Sequence, residues 1–253
     1  MSEYIRHIVE SKRQWHHQPT DEELALGFKG WRSRGYLPHF DAPGVQQFLT
    51  YRLADALPAS RRHEWEVLLA IEHEREKRLK LEAYLDQGYG ECHLRNPEIA
   101  AIVQENLLHF DGERYRVLAW CIMPNHVHAV IEVWQTPLAD LLHSWKSYTS
   151  KAANKVLGSA GHFWQDEYFD HYIRDDAHLR KAIRYTENNP VKAGLAREPA
   201  EWPWSSARWR DEYCRLRRDG KQPAGRDDEE KNSSADKSVG ERSAGGPPAS
   251  SSA

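Results

Sequence analysis

Two histidines one residue apart, His126 and His128, stand in the stretch Trp120-Cys121-Ile122-Met123-Pro124-Asn125-His126-Val127-His128-Ala129-Val130-Ile131-Glu132-Val133. On a strand, side chains two apart share a face and sit about 7 Å from each other along it. Val127, Ala129 and Ile131 then point one way, and His126, His128 and Val130 the other. Two neutral imidazoles on one rigid surface can hold a divalent metal ion between them. They can equally be half-buried histidines with ordinary hydrogen-bond partners. A metal would need a third ligand from elsewhere in the chain.

Tyr185 and Asn189 are four residues apart, which on a helix places them one turn apart on the same edge. A tyrosine at the flank of an apolar stripe ordinarily packs its ring and hydrogen-bonds its hydroxyl. Lys181 and Arg184 make its surroundings basic, and between Leu142 and Arg197 nine Lys or Arg face six Asp or Glu. Tyr148 is the rival nucleophile, beside Lys146 and Lys151. Its place on the Trp145 face predicts packing, and no amide side chain follows it by one turn.

The elements that must position these groups follow from periodicity and punctuation. Val45–Leu53 alternates and reads as the first strand of a sheet. Arg61–Tyr84 is one long helical stretch whose mixed charges suit i,i+4 pairing on a solvated face. Asn96–Leu108 is a second helix, with Asn96 as N-cap and Pro97 in the first turn. Tyr115–Ile122 is a strand, and a turn at Met123–Asn125 leads back along the histidine strand as an antiparallel hairpin. Pro137–Leu157 is a third helix, ended by Gly158–Gly161, and Phe163–Ile173 is irregular or strand-like. Asp175–Asn189 is the fourth, with Pro190 expected to stop it at the preceding residue. Trp202-Pro203-Trp204-Ser205 is a final capping segment. The N-terminal arm is polar, with a short helix at Asp21–Phe28, and Trp31 to Phe40 mixes basic and aromatic groups that could stack on a nucleic-acid strand. The C-terminal stretch, poor in apolar residues and rich in Gly, Ser and Pro, is expected to be disordered.

At 253 residues there is chain enough for one sizeable domain with extensions. A formal charge of −3 excludes a uniformly basic surface, so any nucleic-acid contact must come from a local patch. Ten tryptophans and eleven tyrosines serve mostly as core. Cys92, Cys121 and Cys214 form no zinc spacing and no tight pair, which suggests a reducing compartment. No run is long and apolar enough to span a bilayer, and the N-terminus lacks an apolar signal region. An intracellular protein is expected.

Met123-Pro124-Asn125-His126-Val127-His128 resembles the His-hydrophobic-His motif of single-tyrosine transposases. Tyr185-Thr186-Glu187-Asn188-Asn189-Pro190-Val191-Lys192-Ala193-Gly194, followed by Trp202-Pro203-Trp204-Ser205-Ser206, is similar to the signature of the REP-associated, IS200-like branch. Phe163-Trp164-Gln165 and Tyr36-Leu37-Pro38-His39-Phe40 also fit that branch, and the resemblance runs from about Trp31 to Arg208. It implies an α+β fold: a ferredoxin-like antiparallel sheet covered by helices, with a long helical elaboration. The domains expected are a polar arm over 1–30, a catalytic domain over 31–210 and a disordered tail over 211–253.

By the same resemblance the protein would nick single-stranded or hairpin DNA at REP-type palindromes and transfer strands. Tyr185 would be the nucleophile, forming a 5′-phosphotyrosine. His126, His128 and Asn189 would hold Mg2+ or Mn2+. Arg32, Arg34, Lys146, Lys151, Lys181, Arg184 and Lys192 would meet the DNA, with Lys181 and Arg184 favouring phenolate. The compartment would be the bacterial cytosol, near the nucleoid, and both monomer and homodimer stay open. Two other classes stay open as well. One is a hairpin DNA or RNA binding protein without catalysis; the other is a metal-dependent hydrolase with water as nucleophile.

Overall fold

The computed structural model describes residues 18–33, 38–71, 74–212 and 214–217. The strands among them are β1 (Gly30–Ser33), β2 (Pro38–Asp41), β3 (Gln46–Arg52), β4 (Tyr115–Ile122), β5 (His126–Val133) and β6 (Phe169–Tyr172). The helices are α1 (Asp21–Ala25), α2 (Arg62–Leu69), α3 (Glu74–Leu85), α4 (Pro97–Leu108), α5 (Leu138–Leu157) and α6 (Asp176–Lys192).

The main sheet has the order β4-β5-β3-β6, with every neighbouring pair antiparallel. In chain order its core runs β3–α4–β4–β5–α5–β6. That succession, with the third strand inserted between the first and second, is the ferredoxin-like arrangement. The histidine strand β5 is interior, so its backbone is bonded on both sides and its side chains are held at fixed register.

Local chemistry explains the well-placed elements. The Asn96 side chain accepts from the Glu98 amide at 2.9 Å and Pro97 opens α4 where no amide proton is needed. The Met123 amide donates to the His126 carbonyl at 2.8 Å, closing the β4–β5 turn. Gly158 ends α5 with φ +62, a left-handed conformation that costs glycine little.

Alternation along β5 separates two cores. Val127, Ala129 and Ile131 pack with Leu49 and Tyr51 of β3, Ile99 and Val103 of α4, and Leu141 and Trp145 of α5. Each large apolar side chain so buried contributes about 1.5–3 kcal/mol. On the other face, Phe48, Ala119 and Val130 meet Ile173, Ala182 and the partly buried Leu179, Ile183 and Tyr185. Helix α6 therefore covers the face that carries the histidines.

Several expectations are corrected. The stretch Arg61–Tyr84 is two helices: α2 stops at Leu69, with Ala70 as its C-cap, and α3 starts at Glu74. No glycine or proline marks that break. It lets Trp65 of α2 lie 6.2 Å from the Tyr84 ring and 4.8 Å from the Arg52 guanidinium, while the end of α3 turns toward α6. Pro190 does not end α6, which runs through it to Lys192. Asn189 and Pro190 are both buried, and packing of that last turn offsets the bond proline cannot make. Strand β3 is the first of the main sheet, as expected, and β1 and β2 form a separate hairpin. There Trp31 lies 4.9 Å from the Phe40 ring and 5.6 Å from Tyr172 and remains exposed.

The segment after α6 caps the outer side of β4, as expected. Trp202 Nε1 donates to the Ile122 carbonyl at 2.9 Å, the Ile122 amide donates to Trp204 at 2.9 Å, and Ser205 pairs with Cys121. The residues expected as a disordered tail lie mostly outside the described part, as does most of the N-terminal arm. Among the described residues no helix is long and apolar enough to cross a membrane.

Candidate active site

Residues opposite each other in the ladder share a face, so β3 and β4 flank His128 with Thr50 and Cys121. Both imidazoles are fully buried. Asn125 donates from Nδ2 to the Tyr89 carbonyl at 3.0 Å, which orients its amide oxygen toward His126 Nδ1 at 2.7 Å. An amide oxygen only accepts, so Nδ1 carries the proton and neutral His126 presents a lone pair at Nε2. That lone pair lies 3.0 Å from His128 Nε2. On its other side, His128 Nδ1 is 2.7 Å from Thr50 Oγ1.

A hydroxyl can donate or accept, so Thr50 supports either tautomer of His128. With Thr50 donating, His128 Nε2–H points at His126. With Thr50 accepting, two lone pairs converge on one point, which is favourable only with a cation there. Burial pushes His126 down to about 3, helped by the charges of Lys192 and Arg52, and pushes His128 well below the usual imidazole range. Both rings are therefore neutral near pH 7, the form that binds metal.

One oxygen donor joins them, and a second buried oxygen lies on the covering helix. Asp86, just beyond α3, places Oδ1 3.9 Å from His126 Nε2, and ligand atoms of Asp86, His126 and His128 lie within 4.8 Å of one another. That carboxylate oxygen is buried without a hydrogen-bond partner, while Oδ2 accepts from Lys192 Nζ at 2.8 Å. Asn189 donates from Nδ2 to the Tyr185 carbonyl at 2.9 Å, leaving its buried Oδ1 also without a partner. Unpaired buried oxygens are costly in a folded protein, and a cation beside the imidazoles would satisfy that of Asp86.

Tyr185 stands over this group from α6. Its ring centroid lies 5.9 Å from that of His128 and 5.7 Å from that of Phe48. Its hydroxyl donates to Glu82 Oε2 at 2.6 Å. Burial and then the Glu82 charge raise the phenol well above its ordinary range. Lys181 and Arg184, expected to favour phenolate, are both exposed, and the carboxylate of Glu82 is the hydroxyl's bonded partner. Lys192 Nζ lies 5.6 Å from the ring centroid.

Residues 96–189 match the model of the family described as "Transposase IS200 like". This segment is similar to the transposases of that family. Among curated relatives, a "REP-associated tyrosine transposase" of Escherichia coli (strain K12) is 27% identical over 94 residues, 36% of this chain and 54% of the relative. A relative from Haemophilus influenzae is 27% identical over 103 residues, 36% of this chain and 58% of the relative. The chain thus spans about half the length of the curated relatives it matches. A solved structure of a REP-associated tyrosine transposase bound to a REP hairpin aligns over 69% of this chain and 81% of that one, at 18% identity and a TM-score of 0.40.

The matched segment contains His126, His128, Tyr185 and Asn189 but begins after Glu82 and Asp86. Sequence reasoning missed those two. Glu82 sits in a stretch read as a solvated charged helix, Asp86 lies just beyond it, and no spacing ties either to β5. Tyr148 is 60% exposed, which overturns the packing expected of it and leaves it away from the histidine face. Lys146 is spent on structure: its ammonium donates to the Gln165 and Asp166 carbonyls at 2.9 Å each. Lys151, Lys181, Arg184 and Lys192 are exposed. Arg34 lies outside the described residues, and Arg32 is described only in its backbone.

Proposed function

We propose that this chain is a metal-dependent endonuclease and strand transferase for single-stranded or hairpin DNA, using Tyr185 as nucleophile. The observation that carries the reading is the meeting, on one face of one sheet, of two imidazole Nε2 atoms, an unpartnered Asp86 oxygen and the Tyr185 ring. His126, His128 and Asp86 would hold Mg2+ or Mn2+, with the Asn189 oxygen as a further donor. Imidazole with oxygen donors suits Mn2+ best. A bound ion supplies polarisation of a phosphoryl oxygen and offsets charge growing on phosphorus.

The protein's own groups do the rest. Tyr185 Oη attacks phosphorus and the 3′ oxygen leaves, giving a 5′-phosphotyrosine that keeps the bond energy for rejoining. The fixed histidine strand and the docking of α6 hold these groups without further ordering at the moment of reaction. Lys151, Lys181, Arg184 and Lys192, with Arg32 and Arg34, supply the local positive charge that a net-negative chain needs to hold phosphates. The curated relatives are named for REP elements, and REP-type palindromes are the substrate we propose. Such work would place the protein at the nucleoid.

A labelled hairpin oligonucleotide with single-stranded flanks, incubated with the protein and MnCl2, should yield a denaturation-resistant protein–DNA adduct. Tyr185→Phe should abolish it. Free ends without an adduct would assign the attack to water, and salt-sensitive binding without cleavage would leave a DNA-binding scaffold alone.

A further inference from the structure

The nuclease reading leaves a proton to be placed, and Glu82 is where the structure offers to put it. We infer that Glu82 is the general base that takes the Tyr185 hydroxyl proton during attack on DNA, a role resting on that reading. Glu82 is only 5% exposed, and its Oε2 accepts from Tyr185 Oη at 2.6 Å. A tyrosine hydroxyl needs an acceptor, but a backbone carbonyl or a water serves that purpose without burying a charge. A carboxylate held there has a use beyond packing. It comes from α3, outside the segment that matches the family model. Asp86 follows four residues later, so one turn of chain presents both the proton acceptor and a candidate metal ligand.

The step balances. The Oη–P bond forms as the bond from phosphorus to the 3′ oxygen breaks. The Oη proton passes to Glu82 Oε2, and the departing 3′ oxygen takes a proton from water. In strand transfer the path reverses: a 3′ hydroxyl attacks the phosphotyrosine and gives up its proton to water, while protonated Glu82 returns its proton to the leaving Oη. A free carboxylate is a far weaker base than phenolate, yet Oη loses basicity as it bonds to phosphorus, so transfer within the attack is downhill.

The test uses the full chain, MnCl2 and the flanked, labelled hairpin oligonucleotide, reading the rate of denaturation-resistant adduct. Glu82→Gln keeps the shape and should slow the adduct about 100-fold or more, with Mn2+ and DNA affinities unchanged. Glu82→Ala should be equally slow, and acetate or formate should restore its rate in proportion to concentration while leaving Glu82→Gln unmoved. A purely structural role predicts no such rescue. If Glu82→Ala melts below the assay temperature, the isosteric Gln variant decides. A normal rate in Glu82→Gln, or a slow Glu82→Ala indifferent to added carboxylate, overturns the inference and leaves the nuclease reading standing. No adduct from the wild-type protein overturns the nuclease reading itself.

Discussion

Thr50 Oγ1 lies 2.7 Å from His128 Nδ1, on the strand residue directly opposite in the β3–β5 register. This contact fixes the ring's rotation and allows it to carry its proton away from the shared Nε2 point. Removing such an outer hydrogen bond typically costs about 10–100-fold in metal affinity. Thr50→Val, which keeps the branched shape, should therefore weaken Mn2+ binding by about tenfold in titration calorimetry. Unchanged affinity with an intact fold would mean that the histidines do not act through this tautomer.

Asp86 and Asn189 offer different kinds of oxygen. The carboxylate carries charge and sits within 4.8 Å of both imidazoles' ligand atoms, whereas the amide is neutral. Asp86→Asn should weaken Mn2+ binding more than Asn189→Ala does. The comparison also tests the ligand set expected from the family motif, which has the amide as third donor. Equal losses, or a larger one at Asn189, would restore that assignment.

The buried histidines make stability fall in acid. Burial holds His126 near 3 and His128 well below 6.5, so above pH 6.5 both rings are neutral in the folded and unfolded chain alike. Below that value the unfolded chain binds protons that the folded chain refuses. Stability then drops as pH falls, by up to about 1.4 kcal/mol per pH unit for each ring. Urea unfolding of metal-free protein at pH 7, 6 and 5 should show the fall, and His128→Asn should make it shallower. An identical slope in that variant would place the acid sensitivity elsewhere.

Glu187 anchors the segment after α6 to β4. Its Oε1 accepts from Ser206 Oγ and from Arg210 Nε, each at 2.6 Å, and Ser206 Oγ in turn accepts from the Trp120 amide at 3.0 Å. Arg210 also donates to the Leu118 carbonyl at 3.0 Å. Glu187→Ala leaves a largely buried guanidinium without its carboxylate and should destabilise the protein by about 2–3 kcal/mol. A lowered urea midpoint is the readout. A change below about 0.5 kcal/mol, the range of ordinary surface substitutions, would show that solvent replaces the network.

Much of the frame was legible in the residues. The alternation through His126–Val133, the Asn96-Pro97 cap and the Gly158 stop are local signals, each expressed within a few residues. So the hairpin, α4 and α5 emerged with nearly their observed bounds. The break after Leu69 and the passage of α6 through Pro190 were not legible. At each, a local preference is weak or opposed, and contacts with distant side chains decide.

The same division holds within the site. From the chain alone came two histidines on one face of a strand and a tyrosine one helical turn from an amide, because those relations are set by the repeat of a strand or helix. Only the folded structure brought Glu82 to the Tyr185 hydroxyl and Asp86 to the imidazoles. No periodicity links α3 to β5 or α6 across such distances in sequence. Their meeting depends on where α3 turns and docks, which is a property of the packed whole.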